Sequence, residues 1–138
     1  MNKITVETIV KAPIEKVWDY WNLPDHITKW AFASDDWEAP VADNDLKTGG
    51  KFKTRMQSKT DKTQGFDFGG TYTKVIEYEV IEYTMDDGRK VSTQFETTGD
   101  GQTKIAESFD PESENSEEMQ RSGWQAILDN FKKYVQSK

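Results

Sequence analysis

The sequence contains no cysteine and a single histidine, His26, among its 138 residues. Without cysteine the chain can form no disulfide framework and no thiolate metal site, and it has no thiol nucleophile. A metal site of another kind needs several converging ligands, and one histidine among scattered carboxylates is a poor basis for one. We therefore expect neither a metal nor a cofactor.

Basic residues are also scarce: 18 stand against 25 acidic ones, which gives a formal net charge of −7. Neither nucleic acid nor an anionic membrane surface attracts a chain of this charge. A long apolar run is missing as well, since the opening stretch MNKITVETIVKAP alternates between apolar and polar residues. This alternation argues against a signal peptide and against a transmembrane segment. We expect a cytoplasmic protein that does not insert into membranes.

The familiar catalytic motifs are absent too. The sequence has no phosphate-cradling glycine-rich motif, no H-E-x-x-H and no nucleophile elbow. His26 would suit general-base work only if it faced a cavity; otherwise it is a surface or partly packed imidazole. The sequence therefore assigns no catalytic residue.

The periodicity of the apolar residues predicts one strand, two short helices, a run of antiparallel strands and a long final helix. Strand-like alternation in KITVETIVK precedes PIEKVWDYW, where Pro13 suits a first helical position, and PDHITKW, a second short helix. Strands are predicted from about Asp36 to Phe109. The breaks between them are expected at DNDLKTGG, QGFDFGG, DDGR and GDGQ.

The final helix is predicted from about Ser116 to Gln136, with Asn115 as N-cap and Glu118 completing a capping box. Six large side chains fall within an arc of about 120° on this helix. They are Trp124, Ile127, Leu128, Phe131, Tyr134 and Val135. A helix of this length after a meander can bury that face against the concave side of a curved sheet. The predicted class is therefore α+β, with one domain over residues 1–138.

Several stretches together carry a family resemblance that covers essentially the whole chain. They are APIEKVWDYW, HITKW, DLKTGGKF, GGTYTKVIEYEVIEYTMDDGR and QRSGWQAILDNFKKYV. In their order and spacing the chain resembles the START-like (SRPBCC, helix-grip) superfamily. Within it, the chain resembles bacterial proteins related to the C-terminal domain of the activator of heat-shock-protein ATPase. The resemblance implies a curved antiparallel sheet that grips the C-terminal helix, with a largely apolar cavity between them. Members of this fold carry lipids, bind hormones, cyclise rings or act as co-chaperones, so the fold leaves the function open.

Glu107 is the most informative polar residue. In TKIAESF it shares the parity of Ile105 and Phe109, so alternation directs a carboxylate toward the core. Such a group must be paired or hydrogen-bonded, or its pKa rises. Two interpretations remain open. In the first, a bulge near the strand end or a wet cavity mouth exposes the Glu107 side chain to solvent. In the second, the side chain lies in the cavity and orients a ligand. Arg55 is a candidate partner, although it lies on the other parity of its own strand.

Gly123 is a second unusual residue, because glycine inside a helix is destabilising. It indicates either close helix packing or a kink, or space for a ligand beside Trp124. Trp30, Phe32 and Trp37 cluster in the segment that we expect to form a cavity lid. The predicted ligand-binding residues are Glu107, Trp124, Leu128, Trp30, Phe32, Trp37, Tyr72, Met56 and Gly123.

Two functions of different classes follow from these patterns. The first is non-catalytic binding of a small hydrophobic or aromatic molecule between the sheet and the C-terminal helix. The second is a cyclase- or hydrolase-type enzyme that uses the same cavity, with Glu107 or His26 as acid or base. The lack of a convergent acid/base set favours the first. A co-chaperone-like interaction module with a protein partner is a third hypothesis.

Overall fold

The structure, a computed structural model, describes residues 3–138; the first two residues of the predicted domain lie outside the described part. Within it, three helices and eight strands follow in the predicted order. They are β1 Ile4–Val10, α1 Ile14–Asn22, α2 Pro24–Trp30, β2 Trp37–Glu38, β3 Ala42–Asn44, β4 Lys51–Ser58, β5 Gly65–Ile76, β6 Val80–Met85, β7 Lys90–Gly99, β8 Gln102–Phe109 and α3 Glu117–Gln136. No helix of residues 3–138 combines the length and the apolar character that a membrane span requires.

All strands belong to one antiparallel sheet with the order β1-β8-β7-β6-β5-β4-β2, and β3 also pairs with β4. The first strand lies beside the last, with Ile4 opposite Phe109 and Val10 opposite Thr103. The sheet curls into a half-barrel whose concave face receives α3. This is the helix-grip architecture, and it confirms the predicted fold class.

The C-terminal half of α3 forms the centre of the core. Leu128, Phe131 and Val135 are each at most 1% exposed. The ring of Phe131 meets Trp21 and Trp30 edge-on, at centroid distances of 4.9 and 4.8 Å. These contacts hold α1, α2 and α3 together over the sheet, as the apolar periodicity of the three helices predicts.

The start of α3 differs from the prediction by one residue. Ser116, not Asn115, is the N-cap, and its Oγ accepts a hydrogen bond of 3.1 Å from the backbone N–H of Met119. Asn115 instead bonds to Glu112: its backbone N–H and its Nδ2 both donate hydrogen bonds to Oε1 of Glu112. Likewise, Pro13 is the N-cap of α1 rather than its first helical residue.

The stretch QGFDFGG is mostly strand, not the predicted turn. Gly65 opens the 12-residue β5, and the chain reverses before it, where the backbone N–H of Ser58 bonds the carbonyl of Gln64. The glycines serve close approach between strands: a Cβ on Gly70 would lie 2.5 Å from the carbonyl oxygen of Thr84. The turns at DDGR and GDGQ are confirmed, with φ of 94° at Gly88 and 69° at Gly101.

Candidate functional site

A cavity of about 560 Å³ lies between the concave face of the sheet and the N-terminal half of α3. From α3 it is lined by Met119, Gln120, Trp124 and Ile127. The other walls come from α1, α2, strands β3 to β6 and β8, and the loops after β6 and β8. Its size falls within the range of about 300–1,000 Å³ that is typical of small-molecule pockets. The two halves of α3 therefore differ: the C-terminal half fills the core, and the N-terminal half roofs a cavity.

Eight aromatic rings line the cavity. The lining rings are Trp21, Trp30, Phe52, Phe66, Phe68, Tyr72, Tyr83 and Trp124. They brace one another: Phe52 meets Tyr83 edge-on at 4.7 Å, and Phe68 meets Trp124 edge-on at 5.9 Å. Such contacts hold the rings in fixed orientations. The aromatic part of the wall therefore has a defined shape.

Glu107 places a carboxylate in this apolar wall. Strand β8 is paired on both sides, with Val6 of β1 and Thr93 of β7 opposite Glu107, so regular alternation turns the side chain inward. Glu107 is 7% exposed. The Oγ1 of Thr93 donates a hydrogen bond of 3.1 Å to its Oε2. The predicted inward orientation is confirmed, and no bulge returns the side chain to solvent.

The other oxygen of Glu107 opens onto the cavity. Within residues 3–138, Thr93 provides the one hydrogen bond to this carboxylate, and no Lys, Arg or His forms an ion pair with it. The same part of the chain contains no fully buried side-chain oxygen without a partner, so Oε1 must remain accessible from the cavity. Burial raises the pKa of Glu107 to about 7, and the Thr93 hydrogen bond offsets part of that rise.

Two tyrosines supply neutral polar atoms to the wall. Burial raises the pKa of Tyr83 well above its usual value, and the negative charge of Glu107 raises it further. Burial likewise raises the pKa of Tyr72, whose hydroxyl donates to Oδ1 of Asn44. The Nδ2 of Asn44 in turn donates to the carbonyl of Asn22 at 2.7 Å. Both phenols therefore stay protonated, and the Tyr72–Asn44–Asn22 chain fixes one side of the cavity.

The mouth of the cavity is apolar at its edge and acidic around it. Phe66 and Met119 line it while remaining 50% and 64% exposed. Five further carboxylates line it: Asp43, Asp67, Asp86, Asp87 and Glu112. Arg89 is the basic residue among the lining residues, and its Nε donates to Oδ2 of Asp87 at 2.8 Å. The entrance therefore carries an excess of negative charge.

Five of the nine predicted ligand-binding residues line the cavity: Glu107, Trp124, Trp30, Tyr72 and Met56. The other four do not. Leu128 is 1% exposed and lies in the core beyond the cavity. Trp37 lies behind the mouth, with its ring 6.3 Å from that of Phe66.

Phe32 and Gly123 are also outside the lining. The carbonyls of Trp30 and Phe32 both accept hydrogen bonds from Nδ2 of Asn130 on α3, which ties this segment to the C-terminal half of the helix. A Cβ built on Gly123 meets no atom within 4 Å, so this glycine serves neither close packing nor the cavity wall.

The expected lid is not formed by Trp30, Phe32 and Trp37. Trp30 is 6% exposed, and its Nε1 donates to the carbonyl of Tyr20 at 2.9 Å, so it is a fixed wall residue. The side chains at the mouth are Phe66 and Met119, which sequence patterns did not identify.

An enzyme in this cavity would need Glu107, His26, Arg55 and Tyr72 to converge within hydrogen-bond reach, and they do not. The Nδ1 of His26 shares a hydrogen bond of 2.7 Å with the hydroxyl of Tyr134, and its ring stacks on Tyr20. Arg55 lies 3.8 Å from Asp67 and donates to Gln57. Glu107 and Tyr72 line the cavity, and the other two do not.

Some lining residues were missed although the sequence carried a signal for them. Phe52 shares the parity of Met56 on β4, and Tyr83 shares that of Ile81 and Met85 on β6. Phe68 was missed because its glycine-rich surroundings suggested a turn. The acidic mouth carried no sequence signal, since it gathers residues from several turns.

Comparison with known proteins places this geometry in a family. The family model described as Activator of Hsp90 ATPase homolog 1-like protein matches residues 11–136. No curated protein matches the chain.

Solved structures of similar proteins cover nearly the whole chain. The solution structure of the AHSA1-like protein from Aeromonas hydrophila is 43% identical with a TM-score of 0.90, over 98% of this chain and 92% of that one. A solution structure from Cytophaga hutchinsonii is 55% identical with a TM-score of 0.84, over 99% and 94%. The Aha1 dimer from Colwellia psychrerythraea is 22% identical with a TM-score of 0.72, over 98% and 96%, and shares the fold. The chain therefore belongs to the family of Activator of Hsp90 ATPase homolog 1-like proteins.

Proposed function

We propose that the protein binds a small, largely apolar molecule in the cavity beneath the N-terminal half of α3 and releases it unchanged. The observation that supports this most directly is the cavity of about 560 Å³ lined by braced aromatic rings. Apolar pockets with a few converging polar groups are the usual form of small-molecule sites. Here those polar groups are Glu107 and the Tyr72–Asn44 pair.

Burial of apolar surface would supply most of the binding free energy, at about 25 cal/mol per Å² removed from water. The braced rings lower the cost of ordering side chains when a ligand enters. Phe66 and Met119 at the mouth are at least half exposed, so their side chains have room to move aside when a ligand enters.

A second function, acid/base catalysis, is favoured by one observation: the pKa of Glu107 is raised to about 7, which suits a general base at neutral pH. In this case Glu107→Gln would leave binding nearly intact and abolish turnover. If the protein only binds its ligand, as we favour, neither wild type nor Glu107→Gln forms any product.

The test begins with native mass spectrometry of the purified protein, to detect a molecule that co-purifies with it. An apolar fragment library is then screened by amide chemical shifts. Binders should perturb the cavity-lining residues and raise the thermal midpoint with concentration, because they bind the folded state alone.

Thr54→Leu provides the matched variant, since Thr54 is 6% exposed and lines the cavity. The added volume should weaken binding. Thr97→Leu, the same exchange at an exposed position of β7, should not. Binders that perturb other surfaces, or that bind Thr54→Leu as well as wild type, would contradict the proposal. Recovery of a chemically altered ligand would favour the enzyme.

A further inference from the structure

We propose that the ligand is an amphiphilic amine, whose apolar body fills the cavity while its protonated amino group pairs with the carboxylate of Glu107. This inference rests on the proposed function and adds the chemical class of the ligand. It follows from three independent features: the incomplete pairing of Glu107, the charge of the mouth, and the aromatic lining of the cavity.

The first feature is an open place for a cation. Burying a carboxylate is costly unless a positive charge or several hydrogen bonds compensate it. In the part of the chain that the structure describes, Glu107 has one hydrogen bond, from Thr93, and no ion pair, and its Oε1 is accessible from the cavity. An ammonium group at Oε1 would supply the missing partner, and a charge-assisted hydrogen bond is stronger than a neutral one.

The second feature is the sign of the charge along the entrance. Five carboxylates line the outer part of the cavity. Asp87 is bonded to Arg89, the lining cation, and Asp67 lies 3.8 Å from Arg55. Within residues 3–138 the other three, Asp43, Asp86 and Glu112, form no ion pair. An anionic ligand such as a fatty acid would meet this negative rim and then a carboxylate at the inner wall. A cationic ligand would be attracted along the whole path, because a cleft lined by one sign of charge concentrates ions of the other.

The third feature is the aromatic lining of the cavity that contains the acid. Glu107 and Tyr83 line the same cavity, and besides burial the charge of Glu107 raises the pKa of Tyr83, whereas that of Arg89 lowers it. Tyr83 packs against Phe52, and Trp124 lines the same space. Aromatic faces attract cations, most strongly where water is excluded. An ammonium group beside Glu107 therefore has both a counter-ion and polarisable walls.

A matched series of three molecules with one apolar body, a phenyl ring on four methylene groups, tests the inference: 4-phenylbutylamine, 4-phenylbutanol and 5-phenylvalerate. Binding is measured by titration calorimetry in dilute salt at about pH 8, where most of Glu107 is ionised and the amine is still protonated. Wild-type protein should bind the amine roughly tenfold more tightly than the alcohol, and the carboxylate least.

The variant Glu107→Gln should lose the preference for the amine while keeping its affinity for the alcohol. Glu96→Gln is the control, because Glu96 is an exposed residue of β7 that does not line the cavity and the charge change is the same. It should behave as wild type. In wild-type protein the amine, and not the alcohol, should also lower the pKa of Glu107, followed through its side-chain carboxyl carbon by NMR; this measurement stands even if Glu107→Gln fails to fold.

The outcomes separate the two proposals. Equal binding of amine and alcohol, tighter binding of the carboxylate, or an amine preference that survives in Glu107→Gln would overturn the amine assignment and leave a neutral or acidic ligand in the same cavity. If none of the three molecules perturbs the cavity residues and the fragment screen also finds no binder there, the ligand-binding function itself fails.

Discussion

The indole of Trp124 lies flat on the ring of Phe109, with centroids 4.0 Å apart and planes 10° from parallel. Phe109 is fully buried at the end of β8, whereas Trp124 lines the cavity from α3. The stack therefore links the core of the sheet to the cavity. One face of the indole is covered by Phe109, so a ligand would meet its other face or its edge.

Ligand entry should be visible in the indole N–H resonances of the five tryptophans. Trp21, Trp30 and Trp124 line the cavity, and Trp18 and Trp37 do not. We expect bound apolar molecules to shift the first three resonances, because ring currents and local polarity change beside the ligand. A proton–nitrogen correlation spectrum measures all five at once. Equal shifts of Trp18 and Trp37 would place the binding site elsewhere.

Truncation of the core face of α3 should be strongly destabilising. Phe131 is completely buried between Trp21 and Trp30. Phe131→Ala should lower the free energy of unfolding by about 3–5 kcal/mol, through lost burial and the cavity left behind. Urea denaturation measures this loss. Met119→Ala on the same helix is the control and should change the free energy of unfolding by less than about 0.5 kcal/mol. A loss below about 1 kcal/mol at Phe131 would be incompatible with the helix-grip packing.

Stability should depend on pH through Glu107. Its pKa is about 7 in the folded protein and 4.5 without perturbation, so between these values the folded state binds more protons than the unfolded state. Stability then falls as pH rises: the contribution is complete below about pH 4.5 and lost above about pH 7. Glu107→Gln removes this titration, so its stability relative to wild type should increase by about 3 kcal/mol between about pH 4.5 and pH 8.

Denaturation curves of both proteins at several pH values test this dependence. Carboxyls with a lowered pKa, such as Asp110 with its hydrogen bond from Lys3, act in the opposite direction, but they are common to both proteins and cancel in the difference. Glu96→Gln should run parallel to wild type. A pH-independent difference between Glu107→Gln and wild type would show an ordinary carboxyl at position 107.

Gly123→Ala should stabilise the protein by up to about 1 kcal/mol. Alanine favours the helix relative to glycine by this amount, and the added methyl group meets no atom within 4 Å. Ligand affinity should stay as in wild type, because Gly123 does not line the cavity. Thermal denaturation and the ligand titration measure both effects. If Gly123→Ala were less stable than wild type, the helix would have to be closely packed against other atoms at position 123.

Regular elements were predictable because local rules decide them. Glu107 was placed correctly by parity, since β8 is paired with both neighbours from Thr103 to Phe109 and has no bulge beside that residue. The core face of α3 followed from helical spacing in the same way. Five of the nine proposed ligand-binding residues line the cavity, although Trp30 does so as a fixed wall residue and not as part of a lid.

Contacts between residues far apart in the sequence were not predictable in this way. Phe32 is held by Asn130, which lies 98 residues further along the chain. His26 is held by Tyr134, 108 residues away. No local pattern encodes such partners. Phe68 shows a different failure: glycines that allow strands to approach closely look, in sequence, like glycines that make turns.

The division of α3 into two halves has a consequence for how such a protein can change over generations. Substitutions at Leu128, Phe131 or Val135 alter whether the chain folds, whereas Met119 and its neighbours toward the mouth alter what fits beneath the helix. Exchanges in the first three turns of α3 would therefore reshape the cavity without the loss of stability that exchanges in the core half would cause. If the proposed function holds, variants of this helix could differ in the molecule they bind and still fold.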